Sequence, residues 1–153
     1  ATVPEDLSTL RWGRAVVARQ GQGIALLAFG TLLESAMEVG EALGATVVNM
    51  RFVKPLDEEC LLEMADSHRL LVTLEENVIK GGAGSGVNEA LNAAGRTVRI
   101  VNLGLPDRFI EQGTQTEQLA EAGLLPGQLE QRVREVWQSL SGDEVRLTGA
   151  QAK

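Results

Sequence analysis

Several things are scarce in this chain, and each scarcity closes a class of function. There is one cysteine, Cys60, in 153 residues. That excludes an internal disulfide framework and a cysteine-based zinc site. Aromatics make up 3%, with no tyrosine, so the core has to be built from Leu, Val, Ile and Ala. Basic residues number 14 against 21 acidic ones, for a formal net charge of −7. Such a balance repels a phosphate backbone, and no basic stripe with interleaved aromatics offsets it. Nucleic-acid binding is therefore not expected. No apolar run approaches the eighteen or so residues of a membrane span, and no secretory leader is evident. The expectation is a cytoplasmic protein with no membrane partner. What remains, 44% hydrophobic and 23% charged, suits one globular domain large enough to bury a core without staples.

The pattern of apolar residues gives an order of elements. Residues 1–13 are polar and carry Pro4 and Gly13, which reads as a linker or an arriving arm. Two apolar runs, Ala15–Ala18 and Ile24–Phe29, flank the glycine-rich turn Gln20–Gly23 and predict an antiparallel hairpin. The second run is continuously apolar, the mark of a strand covered on both faces. Thr31 and Glu34 have capping-box spacing ahead of a helical repeat at Leu33, Ala36, Met37, Gly40 and Leu43, closed by Gly44. Thr46–Met50 reads as the next strand. Asp57, followed by Glu58 and Glu59, opens a helix to about Ser67. Leu70–Leu74 is a strand with Glu75 and Glu76 at its end, and Lys80–Gly86 is a loop. A helix marked by Val87, Ala90, Leu91 and Ala94 stops at Gly95, and Val98–Leu103 is the last strand. Thr114 and Glu117 repeat the capping box, with Gly123 ending a short helix. Pro126 opens a longer one whose apolar face is Leu129, Val133, Val136, Trp137 and Leu140. Periodicity stops after Ser141, which sets the domain at 14–140 and a disordered tail at 141–153. Strands separated by helices imply parallel pairs joined by right-handed crossovers. The predicted fold is a three-layer α/β/α domain with a mixed, mostly parallel sheet of about five strands, one of them antiparallel.

Each tempting motif has a plainer alternative. Gly82-Ala83-Gly84-Ser85-Gly86 joins a strand to a helix, where backbone amides can cradle an anion. It is not a Walker loop, and Val87 breaks the dinucleotide fingerprint. The alternative is a tight turn whose glycines let the helix approach the sheet. Glu75 and Glu76 stand at the strand edge where open α/β sheets place ligands. Acid–base work or cation binding is set against a solvated pair, or one partner capping the following loop. Arg51 and Lys54 could bind a carboxylate or phosphate; the favoured reading pairs them with Glu58, Glu59 or Glu75, or with another domain. Asp107, after Pro106, reads as a turn former. His68 reads as a helix-end residue, and Cys60 as an inert buried thiol whose acidic neighbours raise its pKa. The inventory holds no nucleophile with a base, no metal cluster and no complete phosphate loop, so no catalytic, cofactor-binding or metal residue is assigned. Arg51, Lys54, Glu75, Gly82, Gly84, Ser85 and Asp107 stand as the candidate inter-domain or anion-contact set.

Three segments carry more information together than apart. They are Asn49-Met50-Arg51-Phe52-Val53-Lys54-Pro55-Leu56-Asp57, then Thr73–Asn77 with Gly81–Glu89, then Leu103-Gly104-Leu105-Pro106-Asp107-Arg108-Phe109-Ile110. Gly113-Thr114-Gln115 and Leu119–Leu124 follow. In this order they resemble the C-terminal, transketolase-like domain of the 1-deoxy-D-xylulose-5-phosphate synthase family, over about residues 12 to 140. The resemblance implies an enzyme that joins pyruvate to glyceraldehyde 3-phosphate with loss of CO₂, using thiamine diphosphate and Mg²⁺. Its product feeds isoprenoid, thiamine and pyridoxal synthesis. The resemblance further implies that two other domains hold the diphosphate–Mg²⁺ site and the ring-activating glutamate. This domain would bind no cofactor, brace the second domain, support a homodimer and be inactive alone. The chain departs from the family at Gln112, where many members have His; glutamine hydrogen-bonds but does not titrate, which argues against proton transfer there. Two alternatives stay open. One is the equivalent domain of a transketolase or of a 2-oxoacid dehydrogenase beta subunit, against which Leu105–Phe109 speaks. The other is a freestanding anion-binding module resting on the glycine loop, Glu75, Arg51 and Lys54.

Overall fold

The structure is a computed structural model that describes residues 9–150, with side chains described for residues 9–140. Its centre is β2 (Ile24–Phe29), buried at every position. Side chains alternate across a strand. Ile24, Leu26 and Ala28 therefore enter one core, while Ala25, Leu27 and Phe29 enter the other. β3 (Thr46–Asn49) and β4 (Leu70–Val78) flank β2 in parallel, and β5 (Arg99–Leu105) lies parallel to β4. β1 (Val16–Arg19) runs antiparallel to β3, giving the order β1-β3-β2-β4-β5.

The helices complete three layers. α1 (Leu33–Leu43) and α5 (Pro126–Ala150) cover the first face through Ala36, Val39, Leu129 and Val133. α2 (Glu58–Ser67) and α3 (Ala83–Ala93) cover the second through Leu61, Met64, Val87 and Leu91. α4 (Gln115–Ala122) is short and has no buried residue. Asp57 caps α2 by accepting from the Cys60 amide at 3.2 Å. The capping box of Thr114 and Glu117 forms at α4. No helix among the described residues is long and apolar enough to cross a membrane.

Four local expectations are corrected. β1 and β2 do not form a hairpin, because both edges of β2 are taken by parallel partners and β3 lies between the two strands. The Gln20–Gly23 connection instead crosses the start of β3. The Gly21 amide donates to Thr46 Oγ1 at 3.0 Å and the Gln22 amide to the Gly44 carbonyl at 3.0 Å. A Cβ at Gly21 would stand 2.2 Å from the Ala45 backbone, so only glycine passes there. Thr31 does not cap α1; a 3₁₀ turn at Gly30–Leu32 precedes the helix, and the Thr31 hydroxyl donates to Glu76 instead. β4 continues beyond Leu74 to Val78, with an irregular register against β5, so Glu75 and Glu76 lie within the strand. Finally, α5 runs on to Ala150, since no proline follows Ser141 and Gly142 only weakens a helix. The rest of the expected tail, with the side chains after Leu140 and residues 1–8 of the arm, lies outside the described residues.

The connections through α1 and through α2 leave in opposite directions along the sheet and on opposite faces. The topological switch therefore falls between β2 and β4, where open α/β sheets form a crevice at their carboxyl edge.

Candidate functional site

A cleft of about 770 Å³ opens at that switch point. Its floor is Phe29 at the end of β2, Gly30 just beyond it, and Glu75 and Glu76 within β4; the glycine loop forms one wall and Arg51 and Lys54 another.

Glu75 is 2% exposed. Its carboxylate accepts from the Ala83 amide at 2.7 Å and from the Gly84 amide at 2.9 Å. These are first-turn amides of α3, whose N-cap Gly82 offers no capping side chain. Glu75 therefore caps α3 from a neighbouring strand, with its charge against the positive end of the helix dipole. The approach depends on Gly82, where a Cβ would lie 2.3 Å from Glu75 Oε2. The rest of the loop is satisfied internally. Ser85 Oγ accepts from the Gly81 amide at 3.0 Å and donates to the Ile79 carbonyl at 3.2 Å. The cradle that could have held a phosphate is thus filled by the protein's own carboxylate. At Gly84 a Cβ would meet Asn102 Nδ2 at 2.5 Å and Thr73 Oγ1 at 2.6 Å. Here the tight-turn reading describes the geometry: glycine lets α3 sit down on the sheet.

The two glutamates part company. Glu76 is exposed and accepts from the Thr31 hydroxyl and from Gln115 Nε2 at 3.1 Å, tying β4 and the turn after β2 to the start of α4. Among the described residues no group of three or more His, Cys, Asp or Glu side chains is arranged to hold a metal ion.

The cations of the opposite wall are bare. Among the described residues neither Arg51 nor Lys54 forms an ion pair, so of the internal or inter-domain pairing expected, the internal form is absent there. Two of the expected partners are engaged elsewhere: Glu59 pairs with Arg14 at 2.5 Å, and Glu75 is spent on α3. Arg51 has φ of 58°, in the left-handed region, with its amide donating to Asn49 Oδ1 at 3.1 Å. Asp107 pairs with Lys80 at 3.1 Å across the mouth of the loop, both exposed.

Two singled-out residues lie elsewhere. His68 sits at the amino-terminal edge of the sheet, its Nε2 2.7 Å from Thr46 Oγ1. Burial, then the charges of Asp57, Glu63 and Glu59, push the Cys60 thiol up to about 11. It stays protonated and unreactive near neutral pH. Sequence reasoning missed the Thr31–Glu76–Gln115 tie, whose members are far apart in the chain. It also missed Phe109, which is fully exposed at 101%. The external cap did leave a signal: a helix start with no capping side chain, preceded by an acidic residue at a strand end.

Comparison with known proteins fits this geometry. The family model for the transketolase C-terminal domain matches residues 13–129. A 1-deoxy-D-xylulose-5-phosphate synthase of Cronobacter sakazakii is 56% identical over 131 residues, 86% of this chain and 21% of that protein. The Escherichia coli K12 synthase is 55% identical over 128 residues, 84% of this chain and 21% of that protein. This chain thus spans about a fifth of the length of the curated relatives it matches. Among solved structures, a split-gene transketolase described as an inactive beta4 tetramer is 30% identical with a TM-score of 0.78, covering 89% of this chain and 47% of that one. A Pichia stipitis transketolase at 17% identity and a TM-score of 0.56, covering 84% of this chain and 18% of that one, shares the fold.

Proposed function

The chain belongs to the transketolase C-terminal domain family, and we propose that it serves as the C-terminal domain of a 1-deoxy-D-xylulose-5-phosphate synthase. On this reading the whole enzyme is a cytoplasmic homodimer that condenses pyruvate with glyceraldehyde 3-phosphate and releases CO₂, using thiamine diphosphate and Mg²⁺. Thiamine diphosphate would supply the carbanion chemistry, and other domains would hold it. The residues of this chain do not fit the cofactor, because the helix start that could receive a diphosphate is occupied by Glu75. No step of the reaction is therefore assigned to this domain. Its work is mechanical: Glu75, Gly82 and Gly84 lock the loop after β4, and Glu76 fastens α4 beside it, giving a stiff edge against which other domains brace.

The observation that carries this reading is the internal carboxylate in the cradle. Calorimetric titration of thiamine diphosphate with Mg²⁺ into the isolated chain should give no binding heat. Micromolar affinity would overturn the assignment of roles. The intact enzyme should form deoxyxylulose phosphate from the two substrates and show no sugar-to-sugar ketol transfer. The reverse outcome would favour the transketolase reading that the split-gene neighbour suggests. The filled cradle also weighs against a freestanding anion-binding module, which a flat thermal-shift screen of phosphometabolites would set aside.

A further inference from the structure

The sheet ends differently on its two sides. β1 is four residues long, pairs with β3 in an irregular register and closes on Arg19. A short, irregular, charged edge of this kind discourages further pairing. β5 runs for seven residues, and after Arg99 it carries no charge and no proline. Among the described residues it pairs with β4 alone, so the backbone groups along its other side lack a ladder partner. An unguarded edge of that length is a template for one more strand. We propose that this free edge of β5 docks an extended segment of a separate protein, held as a sixth strand, with a small apolar side chain in the groove beside it and carboxylates toward its two ends.

The helical cover for that strand is already in place. A groove of about 440 Å³ opens between Ile79, Leu103 and Gly104 on the sheet and Gln128, Gln131 and Arg132 of α5. Leu103 packs in the same core as Leu129 and Val133 of α5, so the groove lies on the face that this helix covers. Side chains alternate across a strand, and every second residue of a strand laid beyond β5 would point into this space. Complexes built by strand addition take their affinity from main-chain hydrogen bonds and their selectivity from such side-chain pockets. The charges set the partner's chemistry. Arg99, at the start of β5, forms no ion pair among the described residues, and Arg132 beside the groove meets Glu135 only at 3.5 Å. Carboxylates near the ends of the incoming segment would face these two cations, and opposite charges across a strand pair are favourable. A second copy suits the edge less well. Two β5 strands paired antiparallel about a two-fold axis would carry Arg99 of each copy toward the Arg132 end of the other, cation against cation.

The probe is a capped peptide of alternating valine and threonine with aspartate at both ends, titrated into the nitrogen-15 labelled chain. The peptide should shift the amides of residues 100–105 and of α5 near Arg132, and leave β1 unmoved. At saturation, exchange of alternate β5 amides should slow by about tenfold or more. Lysines in place of the aspartates should weaken binding by about tenfold, and so should Arg99→Glu combined with Arg132→Glu, since each exchange turns two attractive pairs into repulsive ones. Both arginines are exposed, so the double variant should keep its amide spectrum away from β5. No shift at millimolar peptide would overturn the proposal, as would equal binding of the lysine-flanked peptide. Concentration-dependent dimers of the chain that pair through residues 100–105 would overturn it in favour of a second copy. Strong protection of the β5 amides in the intact enzyme with no peptide present would overturn it in favour of the enzyme's own polypeptide.

Discussion

Glu75→Ala removes the acceptor for two amides at the buried start of α3. Each amide stranded without a partner costs about 1–3 kcal/mol. Losing a carboxylate at the positive helix end costs about 0.3–1 kcal/mol more, and up to ~2 kcal/mol in a partly buried setting. Water entering the vacated space offsets part of this, and the expected net loss is about 3 kcal/mol. Glu75→Gln should lose about 2 kcal/mol, because its oxygen can serve one amide while its NH₂ group faces the other donor. Urea unfolding at pH 7, followed by far-UV circular dichroism, reads both values. In a domain of this size the alanine variant should also melt roughly 6–12 °C lower. The vacated amides should become a weak anion site, so inorganic phosphate should recover part of the loss in the alanine variant and leave the wild type unchanged. A loss below about 1 kcal/mol with no phosphate response would refute the capping role.

Other outcomes follow from the same geometry. Gly84→Ala would press a methyl group against Asn102 and Thr73, and should cost about 1–3 kcal/mol by denaturant titration, in line with other overpacked sites. Cys60, with its thiol pushed up to about 11, should react with iodoacetamide at pH 8 at least tenfold more slowly in the folded chain than in urea; equal rates would contradict its burial. Hydrogen bonds from the Thr114 backbone and hydroxyl hold the Glu117 carboxyl below the usual glutamate range. Because the folded value lies below the unfolded one, the stabilisation is complete above the unfolded pKa and disappears as pH falls through the folded one. Thr114→Ala should move the Glu117 titration, followed by carboxyl carbon NMR, back toward an ordinary glutamate, and an unmoved midpoint would count against the capping box.

Much of the architecture was legible because its causes are local. β2 announces itself as a central strand by having no polar position, and the Asp57 and Thr114 caps sit where short-range hydrogen bonding puts them. The pairing of β1 was not legible. A glycine turn between two apolar runs permits a hairpin, but it says nothing of a third strand competing for the same edge. The cleft was legible in part. Glu75 and the glycine loop could be placed at a strand end, but not which of two glutamates would turn inward, since that depends on Gly82 and Gly104 making room. Nor was the Arg14–Glu59 pair legible, in which a residue far off in sequence takes one carboxylate expected for Arg51 and Lys54.

The displaced position of β1 has a consequence for how the chain comes together. Of the described strands it is synthesised first, yet its place beside Val47–Asn49 exists only once β3 has lain down against β2. Until then it has nothing to pair with, and a waiting apolar strand invites aggregation. Arg19, which ends the segment and finally reaches the Ala45 carbonyl at 2.5 Å, gives the idle strand a charge that discourages premature partners. The earliest strand of this sheet to be made is thereby seated only after β3, and it closes the sheet along that margin.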